Sequence, residues 1–367
     1  MLNLNEETLL LETKTNYKES IMNRKTLSLM LIMIPFIVLM GMYPLYGGDE
    51  ARIGTAAGVQ VQVPVGARGL GMAGADVASV QGLEALYWNP AGLGALKYKA
   101  AGTLSTMRIF NDIKVNYLGI AASAGRLGTI GFTIKAFDFG DIPVTTNNDM
   151  DGESGQTFSP TFLTTGLTYA KRLTDVISVG VTGKLILESL EGASATAGAL
   201  DIGIQYHQLG GINGLLLGVA LKNIGTKMQY HGSGMLVQAQ DAGSNITDFR
   251  DLPTASNNLP ATIELGLVYQ YNIAESSTLM AAGNFQNENF GSDGIKFGLE
   301  YLYSDFVALR GGYLINQNVD SDAQLYSFTA GVGLMTTLGN TNLGFDYAYR
   351  DSQYFDGNNL FQLTIGF

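Results

Sequence analysis

From Lys99 onward, apolar and polar residues alternate with a period of two, and turn residues break the alternation at short intervals. Ile263, Leu265, Leu267, Tyr269 and Tyr271 alternate with Thr262, Glu264, Gly266 and Gln270. Ile295, Phe297, Leu299, Tyr301 and Tyr303 alternate with Lys296, Gly298 and Glu300. Leu343, Phe345, Tyr347 and Tyr349 alternate with Gly344, Asp346, Ala348 and Arg350, and Leu200, Ile202, Ile204 and Tyr206 with Asp201, Gly203, Gln205 and His207. Successive side chains of a strand point to opposite faces, so each segment has one apolar face and one face of glycine, amides and charges. The pattern predicts fourteen strands, at residues 99–108, 112–124, 127–137, 158–172, 176–188, 195–207, 213–224, 260–272, 275–287, 292–303, 306–315, 323–336, 341–350 and 360–367. Each is close to the roughly ten residues a tilted strand needs to cross a bilayer.

Two features favour a barrel in lipid over a soluble sandwich. The apolar stripes end in Tyr, as an interfacial girdle requires, and the opposite face mixes glycine with charges of both signs, which suits a packed lumen. The connections are also sorted. The odd-numbered ones, residues 109–111, 138–157, 189–194, 225–259, 288–291, 316–322 and 351–359, are the longer set apart from the first. The even-numbered ones, residues 125–126, 173–175, 208–212, 273–274, 304–305 and 337–340, are short. The expected fold is all-β: a ~14-stranded antiparallel transmembrane β-barrel with periplasmic termini and extracellular long loops. Phe361, Leu363, Ile365 and Phe367 alternate to a final aromatic, an ending that resembles the signal read by the barrel assembly machinery.

Composition agrees. Charged residues make up 14% of the 367, glycine is abundant at 47, and the aromatics are mainly Tyr and Phe, at 18 and 17. A net charge of −11 without a basic patch argues against nucleic acid as a partner. The absence of cysteine excludes disulfides, thiolate metal sites and a lipid-modified Cys. At the amino terminus, Met22-Asn23-Arg24-Lys25 precedes the apolar run Thr26 to Met42, then Tyr43, Pro44, Gly47-Gly48 and the acidic Asp49-Glu50. This is a secretory signal layout. The run is longer than a usual signal core and lacks an Ala-x-Ala site, so an uncleaved helical anchor is the competing reading. Residues 1–21 are polar and precede a second Met, consistent with a misassigned start. Residues 1–48 are therefore set apart from the fold as the signal region, leaving 49–98 ahead of a barrel at 99–367.

Residues Val59 to Val65 alternate like a short strand and lead into Gly69-Leu70-Gly71-Met72-Ala73-Gly74, a formal G-x-G-x-x-G. A dinucleotide site needs a βαβ unit around that motif. Here the motif is succeeded by Ala75 to Val80, which reads as a short small-residue helix, and then by strands without helices, so no cofactor is expected. The glycines instead suit tight packing in a barrel mouth.

The run Gly66-Ala67-Arg68-Gly69-Leu70-Gly71-Met72-Ala73-Gly74-Ala75, continuing to Leu86-Tyr87-Trp88-Asn89-Pro90-Ala91-Gly92-Leu93, closely resembles the amino-terminal signature of the PorV/PorQ family, a branch of the FadL-like outer-membrane proteins. Asp346-Tyr347-Ala348-Tyr349 and the final strand to Phe367 resemble the family's ending. The resemblance implies a barrel whose segment 49–98 folds into the lumen as a plug. It implies transport across the outer membrane, either cargo binding and shuttling in type IX secretion or uptake of hydrophobic small molecules. A purely structural envelope barrel is the third reading. Beside this, Asn89-Pro90 favours a turn, Gly92 and Gly94 allow close approach to a wall, and Trp88, the one tryptophan, either anchors the plug or lines a ligand path.

Other candidate chemistry is sparse. Asp201, Glu264, Glu300 and Asp346 lie on the polar face with Lys184, Lys296, Arg310 and Arg350 as possible partners, expected to pair across strands or pin the plug. His207 shares a stripe with Asp201, but the chain has only two His, so no metal is expected there. Asn147, Asp149 and Asp151 resemble the start of a calcium loop, with Phe158 where the twelfth-position Glu belongs. No nucleophile–base cluster or carboxylate pair suggests an enzyme. The expected partners are outer-membrane lipid, the assembly machinery, and a secreted protein or a hydrophobic small molecule.

Overall fold

In the computed structural model, residues 52–367 are described, apart from 111–112, 241–242, 244–246, 318 and 320–321. The signal region 1–48 lies outside the described residues. Among them, eighteen strands form: β1 Ala100–Ile109, β2 Ile113–Ser123, β3 Thr129–Asp138, β4 Ile142–Pro143, β5 Thr157–Phe158, β6 Thr161–Arg172, β7 Ile177–Leu190, β8 Ala193–His207 and β9 Leu215–Gly225. They continue as β10 Leu236–Gln240, β11 Thr247–Asp251, β12 Thr262–Ala274, β13 Ser277–Glu288, β14 Gly294–Tyr303, β15 Val307–Asn316, β16 Phe328–Leu338, β17 Thr341–Arg350 and β18 Asn358–Gly366. Fourteen of them close into one antiparallel barrel, ordered β1-β18-β17-β16-β15-β14-β13-β12-β9-β8-β7-β6-β3-β2. They correspond one to one with the fourteen expected strands. β4 with β5, and β10 with β11, are separate two-stranded hairpins within the two longest connections.

The barrel is inverted relative to a water-soluble protein. Leu265 is 47% exposed while its neighbour Glu264 is 1%, and Leu363 is 58% exposed while Gln362 is 4%. Outward apolar rows along the wall require a hydrocarbon solvent, and the closed ladder leaves no unpaired sheet edge in it. The seam between β1 and β18 is extended by Phe367, whose N–H donates to Ala100 O (2.9 Å) and whose carbonyl accepts from Lys99 N–H (2.8 Å).

Four sequence expectations change. The connection between β7 and β8 is a two-residue turn at Glu191-Gly192, with Gly192 at φ 72°, so this odd-numbered connection is short. β7 and β8 stay paired up to this turn, where His231 of the 226–261 connection bridges Ser194. β6 begins at Thr161 because Phe158 pairs with Ile142 instead. Val59–Gln62 is a 3-10 helix, not a strand: each barrel strand already pairs on both sides, so the lumen offers no free edge. The next helix is Ala67–Gly71 rather than Ala75 to Val80, and it ends where Ala73 and Gly74 turn left-handed at φ 55° and 75°.

Candidate functional site

Residues 52–98 fill the lumen, and glycines let them in. Gly180 faces Gly203 across β7 and β8, Gly218 faces Gly266 across β9 and β12, and Gly298 faces Gly312 across β14 and β15. A β-carbon on Gly218 would come within 2.5 Å of Ala78 Cα, on Gly298 within 3.0 Å of Met72 Cβ, and on Gly180 within 2.7 Å of Ala91 N. Gly331 on β16 meets Gly71 in the same way, at 3.3 Å. Backbone of the plug thus lies directly on glycines of seven of the fourteen wall strands.

The G-x-G-x-x-G run serves this packing. Gly69 and Gly74 both face the Trp88 ring, where a β-carbon on Gly74 would sit 2.7 Å from Trp88 Cζ3, while Gly71 faces the wall. Trp88 is buried and meets Tyr87 edge-to-face, with ring centroids 5.0 Å apart. Asn89 ties the plug to itself and to the wall. Its Oδ1 accepts from Ala91 N–H (3.1 Å), capping the 3-10 helix Pro90–Ala95, and its Nδ2 donates to Val77 O (2.9 Å) and Ile204 O (3.3 Å). Pro90 and Ala91 cover Gly180, Gly92 leaves room for Val80 O, and Leu93 is wholly buried against Gly131.

Among the described residues most of the inward ion pairs gather in two clusters. In the first, plug residue Arg68 donates to Glu300 (2.9 Å) and Asp76 (3.1 Å), and Arg310 bridges Glu300 (2.7 Å) and Asp346 (2.7 Å). In the second, Glu264 accepts from Lys222 (2.5 Å), Lys296 (3.4 Å) and Asn284 (2.7 Å), and Lys184 pairs with Asp201 (2.5 Å). Arg350 differs from the others. It meets no carboxylate among the described residues; its guanidinium stacks 3.6 Å from the Tyr326 ring centroid and faces the Asn358 carboxamide. Plug residue Glu84 accepts from the Arg68 and Gly69 backbone N–H groups (3.0 and 3.2 Å) and from Gln362 (2.9 Å). Burial pushes its carboxyl up to about 7, with the nearby Asp76 and Asp346 adding to the shift.

Between plug and wall, toward the end carrying the long connections, a cavity of about 170 Å³ remains. Tyr87 and Trp88 line it from the plug, and Lys184, Lys222, Lys296, Arg350 and Glu264 from the wall. Lys222 Nζ lies 5.1 Å from the Tyr87 ring centroid and 5.6 Å from that of Trp88. The sequence pattern does not single out Arg68, Lys222, Glu84 or Lys135. Period-2 counting places Lys135 on the polar face of β3, but Lys222 lies within the irregular β8–β9 pairing, and Arg68 and Glu84 sit in a segment with no strand period.

Away from the lumen, Asp149 gives both carboxylate oxygens to its own loop, accepting from the N–H groups of Glu153 (2.9 Å) and Ser154 (2.8 Å). These bonds hold its carboxyl below the usual range. Asn147 and Asp151 stay exposed, and no cluster of three or more His, Asp or Glu able to hold a metal is present among the described residues. His207 and Asp201 lie on the same strand without meeting, and His231 pairs instead with Asp251 (3.0 Å) in the long connection.

A closed, plugged barrel with an apolar exterior is an outer-membrane transport barrel in architecture. The chain belongs to the family described as type IX secretion system protein PorV, whose model matches residues 47–278. A comparison with curated proteins finds no match. Among solved structures, the CymD monoaromatic hydrocarbon channel superposes with a TM-score of 0.51 at 13% identity, covering 83% of this chain and 96% of that one. The Pseudomonas putida toluene transporter TodX gives 0.49 at 14%, covering 82% and 96%. A Pseudomonas aeruginosa FadL homologue gives 0.49 at 12%, covering 83% and 98%.

Proposed function

We propose that this barrel serves type IX secretion by holding secreted cargo on its long connections while the plugged barrel anchors it in the outer membrane. The family match carries this reading. The packed lumen supports it: a residual cavity of about 170 Å³ passes no polypeptide, so cargo is handled from one face. That face has surface to offer. The β10–β11 hairpin is solvent-exposed and displays Leu236, Val237 and Phe249, and Met150 in the 139–160 connection is 78% exposed. In the same reading, residues 22–48 deliver the chain to the envelope, the assembly machinery reads Phe367 on the last strand, the termini are periplasmic and the long connections extracellular. The test is a deletion strain, complemented with the wild type or with the β10–β11 hairpin replaced by a short Gly-Ser turn. Cargo should stay cell-associated without the gene and with the replaced hairpin; normal secretion in the deletion strain would refute the proposal.

Uptake of hydrophobic small molecules is a second reading, supported by one observation. An apolar hollow of about 780 Å³ lies on the outer wall beside the register shift between Leu200 and Ile202, lined by Phe132, Leu167, Leu185 and Leu200. Lys184 borders both this hollow and the luminal cavity. Loss of toluene uptake with intact secretion in the deletion strain would favour it.

A further inference from the structure

We propose that the luminal cavity is a binding site for one small oxyanion, a carboxylate or a phosphate. Among the described residues, its walls carry four cations, Lys184, Lys222, Lys296 and Arg350, against the single lining carboxylate Glu264. Asp201 behind Lys184 compensates one more charge. In the next layer, Lys135 adds one positive charge and Glu288 one negative: Lys135 Nζ donates to Val61 O (3.3 Å) and Val63 O (2.9 Å), and Glu288 takes the Gln62 and Gln286 amides. The cavity lining and this next layer together hold two more positive than negative charges, in a site walled largely by buried side chains.

Uncompensated buried charge is costly, and a wall of like-signed groups around one cavity concentrates the field there. The cavity lining itself offers one carboxylate, Glu264, against this excess. Lys222 and Lys296 share Glu264 and otherwise rest on the rims and faces of Tyr87 and Trp88. Arg350 has only Tyr326 and a carboxamide among the described residues. Thr262 Oγ1, also on the cavity wall, is buried and makes no hydrogen bond among the described residues, so one more donor is available. An oxyanion supplies what is missing, namely negative charge and several acceptors. A volume of about 170 Å³ admits one small oxyanion with a few waters, each water taking ~30 Å³. It excludes a folded segment or a long acyl chain. The site does not depend on the secretion reading, since it requires only the barrel and its plug.

Trp88 lines the cavity and is the one tryptophan of the chain, so its fluorescence reports on the site directly. The intact barrel, purified in a non-ionic detergent, is titrated with the anionic quencher iodide, the cationic quencher caesium and neutral acrylamide at constant ionic strength. Iodide should quench Trp88 saturably and at least fivefold more effectively than caesium. Millimolar inorganic phosphate or succinate should remove that advantage, and whichever competes at lower concentration identifies the ligand as phosphate-like or carboxylate-like. Arg350→Gln, which leaves no carboxylate unpartnered, should weaken the competing anion about tenfold. Lys296→Gln, which leaves Glu264 paired with Lys222, serves if that variant fails to fold. Equal quenching by iodide and caesium, with no effect of phosphate or succinate, would overturn the proposal.

Discussion

Asn89 Oδ1 stands where a β-carbon on Gly203 would have to be. The plug therefore touches the β8 backbone itself, and that contact sets how deeply residues 85–95 seat. Gly203→Ala should force the Asn89 carboxamide and Pro90 off the wall at a cost of about 1–3 kcal/mol, the usual penalty of overpacking. Gly183, on the neighbouring β7, has open space at the same point. Gly183→Ala should stay within about 0.5 kcal/mol of wild type. Thermal unfolding midpoints in detergent compare the two, and an unshifted midpoint for Gly203→Ala would show that the plug can slide.

Arg68 is the tie between the first charge cluster and the plug. Its removal as Arg68→Gln leaves Asp76, which is wholly buried, without its ion partner and with one oxygen already lacking a hydrogen bond. Breaking one side of a buried ion pair costs about 3–5 kcal/mol. The barrel strands lose nothing of their ladder, so the plug should loosen first. Limited proteolysis with chymotrypsin should cut near Tyr87 in the variant and spare it in the wild type.

Glu84 makes plug anchoring depend on pH. Its folded-state value of about 7 lies above the ordinary 4.5, so between those values the folded plug binds a proton that the released plug does not. Anchoring therefore weakens as pH rises from 4.5 through 7 and strengthens on acidification. Hydrogen exchange at the Arg68 and Gly69 amides, corrected for intrinsic rates, should show greater protection at about pH 5.5 than at about pH 8, since the linked proton is bound at the first and lost at the second. Glu84→Gln should flatten the difference.

Asp149 behaves oppositely. Its carboxyl is held low by the hydrogen bonds it accepts from Ser154 and Glu153, so the turn at 149–154 is stabilised at neutral pH and loosens as pH falls through that depressed value. Asp149→Ala should abolish exchange protection at the Glu153 and Ser154 amides at every pH, with the barrel midpoint unchanged.

The wall of the barrel was legible because lipid imposes a strict rule: every second residue faces hydrocarbon, and Leu265, Leu299 and Leu363 could hardly be elsewhere. The plug has no such rule. Val59 to Val65 carries the alternation of a strand, yet its backbone groups are taken by side chains, as when Lys135 bonds Val61 O and Val63 O. Pairing of the charges was harder still. Lys184 with Asp201, and Arg310 with Asp346, involve residues whose place on the polar face the period already gives, but Arg68 enters from a segment whose orientation no period reveals, and Lys222 lies where the β8–β9 pairing turns irregular. Register alone decides that Arg310 lies opposite Glu300 and Asp346 opposite Gly333, where a β-carbon would meet both the Arg310 guanidinium and the Asp346 carboxylate.

The hydrogen bond from Ala67 N–H to Gln362 Oε1 (2.9 Å) joins residues nearly the whole length of the chain apart. Contacts of such span close late, because the intervening loop entropy is lost before they form. The plug precedes every wall strand in the chain, and this one contact cannot form until β18, the last of them, is in place. Closure of the Ala67 end of the plug is therefore expected among the last steps of barrel maturation.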